Sequence, residues 1–338
     1  MAKKHINIPI FIPHLGCPND CAFCNQRSIS GRMHFDISDV RSQIEEALST
    51  ISECEAEIAF FGGSFTGIDR ALMIELLDIA QEYINGGRVS SIRLSTRPDY
   101  ISEEILDILK RYSVKTVELG IQSVSDTVLC ASKRGHTFAD VIKACKLIKK
   151  YGFELVGQMM IGLPGSTSED EIATARAICD LGASESRIYP IVVLKGTKLE
   201  EMVENREYKL ISGDELINRC ASVLEVFEKR NIKVLRIGLH SGTELNSGDE
   251  IACGFYHPAM GELVRGELMY REIAGQLSTM DAAGKNVVVT VPKGRISTAI
   301  GQGGRNREKL IKEFSLKGIT FSEKEMTRDI IAFETKYF

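Results

Sequence analysis

The chain has 338 residues, too many for one typical domain and enough for one large domain with a small one. Apolar residues make up 43% and charged residues 26%, the balance of a soluble globular protein. The formal net charge of -4 excludes a chain that is basic throughout, so any nucleic-acid site must be a local basic patch. No run approaches the ~20 apolar residues of a membrane span, and no signal-peptide pattern is seen, which predicts a cytoplasmic protein without membrane contact.

Strand-like and helix-like segments alternate along the first part of the chain. Short apolar runs rich in β-formers are separated by stretches with helical spacing of apolar residues. The runs are His5–Pro13, Glu57–Phe61, Ser91–Ser95, Lys115–Leu119, Leu155–Ile161 and Arg187–Val193. This repetition predicts an α/β fold with a parallel sheet. Chemical motifs after several strands favour a partial (β/α) TIM-like barrel, in which reactive residues lie at the carboxyl ends of the strands.

The alternation continues and then stops. A helix is predicted near Asp214–Arg230 and a short strand at Val234–Leu239. Polar segments with glycine, Asn246–Glu250 and Ser278–Asn286, mark a change in the pattern. We predict a barrel over residues 1–240, a connecting helical segment over 241–284 and a small domain over 285–338.

Three cysteines follow the first predicted strand at a close spacing: Cys17, Cys21 and Cys24. Three thiolates in one loop can hold a 4Fe-4S cluster and leave its fourth iron open to a ligand. The aromatic Phe23 before the third cysteine suits a pocket for an adenine ring. The spacing also permits a zinc site with a fourth ligand elsewhere, such as His14 or His34.

A CxxxCxxC motif with an aromatic residue before its last cysteine, after the first strand of a βα repeat, resembles the radical S-adenosylmethionine (SAM) superfamily. The resemblance implies a 4Fe-4S cluster whose open iron binds the amino and carboxylate groups of SAM. It implies that one electron from the cluster cleaves SAM to a 5′-deoxyadenosyl radical. An electron donor such as flavodoxin or ferredoxin follows from this chemistry.

Two further strand ends fit this resemblance. Gly62-Gly63-Ser64-Phe65 ends the second strand, where adjacent glycines let the backbone approach a ligand. In radical SAM enzymes the corresponding segment contacts the SAM amino group through backbone carbonyls. Glu118 ends the fourth strand among apolar residues, where a carboxylate needs a partner. The ribose of SAM would satisfy it; the alternative is an ion pair with Arg93, Arg97 or another barrel arginine.

Six ordered segments resemble one subgroup more closely. They are STRPDYI (95–101), ELGIQS (118–123), KRGHT (133–137), MMIGLPGST (159–167), IYPIVVLKGTKL (188–199) and REYKLISGDEL (206–216). The subgroup is the radical SAM domain of the Elongator catalytic subunit with its short bacterial and archaeal relatives, and it implies an RNA substrate. Elongator spaces its first two cysteines more widely and carries an acetyltransferase-like domain that no segment after residue 240 matches. Short relatives of the coproporphyrinogen dehydrogenase type share the compact cysteine spacing.

The C-terminal region resembles a KH domain, whose GxxG loop clamps a nucleic-acid backbone. Its predicted elements are a strand (Asn286–Val291), a helix (Gly294–Ile300), the loop Gly301-Gln302-Gly303-Gly304, a helix (Arg305–Phe314) and strands at Ile319–Ser322 and Asp329–Thr335. From Lys285 to Lys317 there are eight basic and two acidic side chains, a difference of +6. We predict that the loop residues, with Lys293, Arg305 and Arg307, bind RNA.

These patterns predict a radical SAM barrel followed by a small α+β KH-like domain, in an enzyme that uses its cluster and SAM on tRNA or rRNA. Two alternatives stay open at this point. One is a radical SAM oxidoreductase acting on a small molecule, of the coproporphyrinogen dehydrogenase type. The other is a non-catalytic RNA-binding protein that uses its cluster as a redox sensor. No side chain stands out as the acid, base or hydrogen donor for the substrate.

Overall fold

The computed structural model describes residues 4–12, 15, 17, 21–25, 35–51, 54–239, 248–325 and 332–336. The chain divides into two compact units. The first comprises Met1–Ser212 and Val226–Tyr256, and the second comprises Gly213–Glu225 and His257–Phe338. Residues 257–284 therefore group with the C-terminal unit, whereas the sequence predicts a separate connecting segment over residues 241–284.

The first unit is built on a parallel sheet whose strand order follows the chain, β1-β2-β3-β4-β5-β6-β8. Its strands are β1 (Lys4–Ile12), β2 (Cys54–Gly62), β3 (Ser91–Thr96), β4 (Val114–Gln122), β5 (Glu154–Ile161), β6 (Glu185–Pro190) and β8 (Lys233–Ile237). A short antiparallel pair joins β7 (Val193–Leu194) to β9 (Ile251–Cys253). This sequential parallel order confirms the predicted partial TIM-like barrel.

Helices connect these strands. They are α1 (Ser38–Ser49), α2 (Arg70–Asn85), α3 (Glu103–Arg111), α4 (Asp126–Ala131), α5 (Phe138–Lys150), α6 (Ser168–Asp180), α7 (Lys198–Glu204) and α8 (Gly213–Lys229). Side-chain caps fix several of their starts. Thr137 and Asp140 form a capping box at α5, which satisfies two backbone N–H groups that the helix cannot. No described helix combines enough length with enough apolar residues to cross a membrane.

The sheet has one aliphatic face and one polar face. Alternate strand residues point to opposite sides. Ile92, Leu94, Val117, Leu119 and Ile188 are fully buried on one face. On this face Gly157 makes room for α6, because a Cβ at Gly157 would lie 2.5 Å from Ile178 Cγ2. The opposite face carries charged and polar residues, among them Arg93, Glu118, Gln158 and Arg187, and it is there that the candidate site lies.

The second unit has its own three-stranded sheet and core. Its elements are α9 (Met260–Leu277), β10 (Asn286–Pro292), α10 (Ile296–Ile300), a 3-10 turn (Gln302–Gly304), α11 (Arg305–Glu313), β11 (Gly318–Lys324) and β12 (Ala332–Lys336). β10 is central, parallel to β11 and antiparallel to β12. Ile273 and Leu277 of α9 pack with Val287 and Val289 of β10 and Leu310 of α11. The predicted order of strand, helix, glycine loop, helix and strand is present.

Candidate functional site

The carboxyl ends of the parallel strands surround a pocket in the first unit. Parallel strands place their carboxyl ends at one edge, which brings together motifs that are far apart in the chain. The predicted site residues that line this pocket are Cys17, Cys21, Phe23, Cys24, Gly62, Gly63 and Glu118. Three separate sequence motifs thus meet in one place.

Ser64 and Phe65 are not among the residues that line the pocket. The Ser64 hydroxyl is hydrogen-bonded to the Thr96 hydroxyl at 2.9 Å, and the Phe65 ring stacks on Phe60 with centroids 4.6 Å apart. Both side chains therefore hold the end of β2 in place. A contact of either residue with a cofactor rests on its backbone alone.

The cysteine loop is tied to two distant segments of the first unit. Ala22 N–H donates to Ser132 O at 3.0 Å, and Leu199 N–H donates to Ala22 O at 2.7 Å. Within the loop, Cys24 N–H donates to Cys21 O at 3.0 Å. Both backbone groups of Ala22, between Cys21 and Cys24, are therefore fixed by segments that lie far away in the chain.

Positive charge lies beside the thiols. Burial raises the pKa of the Cys17 thiol, while the backbone N–H of Ser64 and the guanidiniums of Arg97 and Arg134 act in the opposite direction. Arg134 Nη1 donates to Cys21 Sγ at 3.3 Å. Such donors and charges favour the thiolate, which is the form of cysteine that binds metal.

The two glycines at the end of β2 make room for the cysteine loop. A Cβ on Gly63 would lie 2.4 Å from the carbonyl oxygen of Leu15 and 3.5 Å from Cys17 Sγ. Gly62 has a φ of +110°, and a Cβ there would lie 2.7 Å from Ile12 O. The predicted reason for these glycines is close approach to a ligand. The structure adds a second reason, since they admit the backbone that carries Cys17.

Glu118 is fully buried, and protein donors fill its carboxylate. Oε1 accepts from Arg93 Nη1 and from Arg187 Nη2, both at 3.0 Å. Oε2 accepts from Arg187 Nε at 2.7 Å and from Gln158 Nε2 at 2.8 Å. A carboxylate offers about four lone-pair positions, so a ribose hydroxyl would have to displace one of these donors. The arrangement is the predicted alternative, an ion pair with barrel arginines, and it does not support the predicted ribose contact.

Next to Glu118, Arg93 forms the centre of a buried ionic network. Its Nε donates to Glu57 Oε2 at 2.8 Å, and its Nη2 lies 3.3 Å from Glu185 Oε2. Burial opposes the charge of Arg93, but Glu57 and Glu118 outweigh it and raise the arginine pKa above its ordinary value. Carboxylates from β2, β4 and β6 are therefore held together inside the half-barrel by one guanidinium.

Family comparisons identify this site. The radical SAM superfamily matches residues 11–178, and the radical SAM C-terminal domain matches residues 184–270. An uncharacterized protein of Methanocaldococcus jannaschii, MJ0486, is 32% identical over 236 residues, which make up 66% of this chain and 72% of that protein. The chain belongs to the radical SAM superfamily. Proteins of this superfamily are enzymes that bind a 4Fe-4S cluster and SAM, so the predicted enzyme class and cofactors are confirmed.

Several relatives match this radical SAM chain over only part of their own length. The tRNA uridine(34) acetyltransferase of Methanocaldococcus infernus is 35% identical over 145 residues, 42% of this chain and 27% of that protein. Elongator complex protein 3 of Saccharomyces cerevisiae is 32% identical over 136 residues, 39% of this chain and 24% of that protein. A structure of Methanocaldococcus infernus Elp3 superposes with a TM-score of 0.64 at 24% identity, covering 82% of this chain and 64% of that one. That superposition confirms the fold.

The thiols suit a cluster of several irons. Among the residues that the structure describes, no three His, Cys, Asp or Glu side chains converge on a single metal ion. A 4Fe-4S cluster has a different requirement, because each cysteine binds a different iron. Cys17, Cys21 and Cys24 are free of disulfides and line the same pocket, which is compatible with this arrangement. The alternative zinc ligands, His14 and His34, lie outside the described residues, and the ligand assignment stays a prediction.

The pocket wall also carries polar atoms that suit SAM. In the described part of the chain, Arg97 Nη1 and Gln122 Oε1 are buried without a hydrogen-bond partner. Arg97 Nε and Nη2 each hold Asp99 at 3.0 Å, which orients the guanidinium. Gln122 has a φ of +67°, a left-handed conformation that is costly for a residue with a side chain. A buried donor and a buried acceptor on one wall fit a polar ligand such as SAM.

We expect Gln122→Met to weaken SAM binding about twofold to tenfold, the effect of losing one hydrogen bond. The stability of the Gln122→Met variant without SAM should be unchanged or higher, because Gln122 Oε1 has no protein partner to lose. Gln81→Met is the matched control, since Gln81 Oε1 accepts from Ser113 N at 2.8 Å, far from the pocket residues. It should lower stability and leave SAM affinity alone. Equilibrium SAM binding and thermal unfolding, measured anaerobically, check both variants; wild-type affinity in Gln122→Met would contradict the assignment.

Several pocket residues were missed from the sequence. The residues are Arg134, Gln158, Arg187, Tyr189 and Arg236. A signal was present in β6, where Glu185, Arg187 and Tyr189 alternate with buried residues and therefore share one face. Polar residues at every second position of a strand that should be buried on both sides indicate an interior site.

The predicted RNA-binding loop of the second unit has its own geometry. Gly301, Gly303 and Gly304 all have positive φ, at +77°, +63° and +84°. A Cβ on Gly301 would lie 2.9 Å from Asn306 N, whereas nothing lies within 4 Å of a Cβ on Gly303. Gln302 and Gly303 are exposed. Gly301 therefore closes the loop against α11, and the middle of the loop faces solvent.

Part of the basic charge around this loop is already paired. Arg305 Nη2 donates to Asp214 Oδ1 at 2.7 Å, and Lys293 Nζ lies 3.4 Å from Glu325 Oε1. Arg307 is exposed and forms no ion pair with any described residue. Of the three predicted basic contacts, Arg307 is the one that is most available to a phosphate.

Proposed function

We propose that this radical SAM enzyme modifies RNA, either tRNA or rRNA. The observation that carries the proposal is the presence in one chain of the cysteine-lined pocket and of an exposed, positive-φ glycine loop within the basic stretch Lys285–Lys317. The relatives named as tRNA uridine(34) acetyltransferases, which match 42% and 51% of this chain, support an RNA substrate.

In this proposal Cys17, Cys21 and Cys24 hold the cluster. SAM is contacted by the Gly62-Gly63 backbone, Phe23, Arg97 and Gln122. Arg97 and Gln122, whose buried polar atoms lack a hydrogen-bond partner, take the place in the SAM site that the sequence assigned to Glu118. When bound, the cluster and SAM supply a 5′-deoxyadenosyl radical, with the electron coming from a donor such as flavodoxin or ferredoxin. The chain itself binds and orients the reactants and excludes water from the pocket.

The second unit would hold the RNA backbone. Glycines with positive φ allow a phosphate to approach the loop backbone closely. Arg307 supplies a free positive charge one turn into α11, and Lys293 and Arg305 can exchange their present carboxylate partners for phosphate. Exposed ion pairs of this kind contribute little to stability, so such an exchange has a small cost.

We expect the double substitution Gln302→Asp with Gly303→Asp to abolish measurable RNA binding by the loop. Two negative charges would stand where a phosphate must lie, and both positions are exposed, so the fold is spared. Aspartate tolerates the left-handed conformation of Gly303 better than most residues. Wild-type binding should weaken with salt at a log–log slope of about -0.7 per phosphate contacted. Titration of labelled tRNA and rRNA fragments at two salt concentrations measures both effects.

The control for this titration is Lys110→Gln, which removes an exposed positive charge from α3 of the first unit. It should bind RNA as the wild type does. Equal binding by the wild type and the double variant, or no wild-type binding at low salt, would remove the RNA-clamp role from the second unit. The small-molecule oxidoreductase would then be the better hypothesis.

Nucleoside mass spectrometry of total RNA from a deletion strain and its parent tests the function itself. We expect one modified nucleoside to disappear and to return with the wild-type gene but not with Cys21→Ala. An unchanged RNA profile would contradict RNA modification. Detection of 5′-deoxyadenosine from the reduced protein separates either enzyme hypothesis from a non-catalytic redox sensor.

A further inference from the structure

The far wall of the pocket brings together residues from β6 and β8. Arg187 and Tyr189 stand on the same face of β6, two residues apart. Arg236 of β8 pairs in register with Arg187 across the sheet. All three residues line the pocket, so two guanidiniums and a phenol meet at one wall.

The two guanidiniums differ in how their charge is balanced. Arg187 is matched by Glu118, which accepts from its Nε at 2.7 Å and its Nη2 at 3.0 Å. The contact recorded for Arg236 is a long hydrogen bond from Nη1 to Leu239 O at 3.4 Å. No carboxylate within the described ranges lies within 4.0 Å of Arg236. A half-buried cation on a pocket wall without a counter-charge favours binding of an anion.

Tyr189 adds a donor beside this cation. Burial raises the pKa of Tyr189, so the phenol keeps its proton at neutral pH despite the neighbouring arginines. Its phenol lines the pocket together with Arg236, so the O–H can donate to a ligand that binds there.

We propose that Arg236 and Tyr189, supported by Arg187, form a subsite for a phosphate group of the substrate. The RNA form of this proposal rests on the proposed function, whereas a free phosphate ester would use the same donors. A phosphate can accept from a guanidinium fork and a phenol at once. Beside the subsite, the Arg187 Cζ atom lies 5.5 Å from the centroid of the Phe61 ring, and the ring centroids of Phe11 and Phe61 are 6.4 Å apart. These two rings form an aromatic wall that suits a nucleobase.

This subsite is separate from the end of the pocket that holds the cysteines. Arg97 is the arginine whose charge is felt by Cys17 and Cys21, and Arg134 donates to Cys21. Tyr189 is influenced by Arg187 and Arg236 instead. Arg97 and Arg134 therefore lie toward the cluster end, whereas Arg187 is held by Glu118 and Arg236 is left for the substrate.

The test is equilibrium binding to SAM-loaded, cluster-containing protein that also carries Gln302→Asp and Gly303→Asp, so that the loop does not contribute. The probes are the dinucleotide uridylyl-uridine, its uncharged methylphosphonate analogue and ribose 5-phosphate. Arg236→Gln should weaken binding of the charged probe about tenfold to a hundredfold, and Tyr189→Phe about threefold to tenfold. Arg176→Gln, which removes an exposed arginine from α6, should bind as its parent does.

Each outcome decides a different point. Binding of the dinucleotide but not of its methylphosphonate analogue, with loss in Arg236→Gln, supports an RNA phosphate. Arg236-dependent binding of ribose 5-phosphate alone keeps the subsite and contradicts RNA modification. Equal affinity in Arg236→Gln and Arg176→Gln, or no binding of any charged probe to the parent, overturns the subsite. Cluster content and SAM affinity identify any variant that has failed to fold, and Tyr189→Phe then decides in its place.

Discussion

We expect alanine at Cys17, Cys21 or Cys24 to remove the iron-sulfur cluster and alanine at Cys130 to leave it in place. In the predicted ligand set each of the three thiols binds one iron, and a cluster that has lost one of three protein ligands is not retained. We expect about four irons and four sulfides per chain in anaerobically reconstituted wild type, and close to none in the three variants. Cys130 is an exposed cysteine of α4, so its removal tests whether any thiol has the same effect.

Iron, sulfide and zinc are measured on the same preparations. Stoichiometric zinc without iron in protein made in the absence of oxygen would contradict the cluster at these cysteines. It would favour the zinc alternative, in which His14 or His34 completes the site. Substitution of the histidine that completes the site would then remove the zinc.

The second large effect is expected at Glu118. Glu118→Gln leaves Arg93 and Arg187 in the interior without their shared counter-charge, and breaking a buried pair in this way costs about 3–5 kcal/mol. Glu82→Gln is the control, because Glu82 forms a two-pronged pair with Arg41 on the surface and its loss should change stability little. Urea unfolding followed by circular dichroism at neutral pH compares the two free energies. A Glu118→Gln variant as stable as Glu82→Gln would show that the network does not stabilise the barrel.

The same carboxylate gives a pH dependence with a definite sign. Burial alone would raise the pKa of Glu118, but the charges of Arg187 and Arg93 outweigh it and hold the pKa below its ordinary value of 4.5. Stability from a group whose pKa is lowered on folding is present above 4.5 and is lost as the pH falls through the folded-state pKa. The difference in the free energy of unfolding between wild type and Glu118→Gln should therefore become smaller as the pH falls below 4.5. An increase in this difference on acidification would contradict the ion-pair assignment.

Local patterns predicted the parts of the site that depend on one strand end at a time. The cysteine spacing, the glycine pair and the position of Glu118 are each contained in a few residues. Parallel strands bring such ends to one edge, so a sequence that shows the order of the strands also shows that the motifs meet. The pocket that contains Cys17, Gly63 and Glu118 is the result.

Partners across the barrel could not be predicted in the same way. Glu118 and Arg187 are 69 residues apart, and their contact depends on how far the sheet curls between β4 and β6. The sequence allows the carboxylate a ligand or an ion pair, and only the positions of Arg93 and Arg187 decide between them. Gly63 shows the same limit, because the atom that forbids a side chain there is the carbonyl of Leu15 in a different segment.

The cysteine loop forms hydrogen bonds with residues that lie far toward the C-terminus and are therefore synthesised later. Asn25 Nδ2 donates to Lys195 O at 2.9 Å, 170 residues along the chain, and Leu199 N–H donates to Ala22 O at 2.7 Å. During translation the N-terminal segments leave the ribosome first, so the thiols emerge well before these anchors exist. A nascent chain shorter than Leu199 therefore presents the three cysteines on a loop without its final support. We therefore expect iron and sulfide to be delivered after the segment that contains Lys195 and Leu199 has been synthesised.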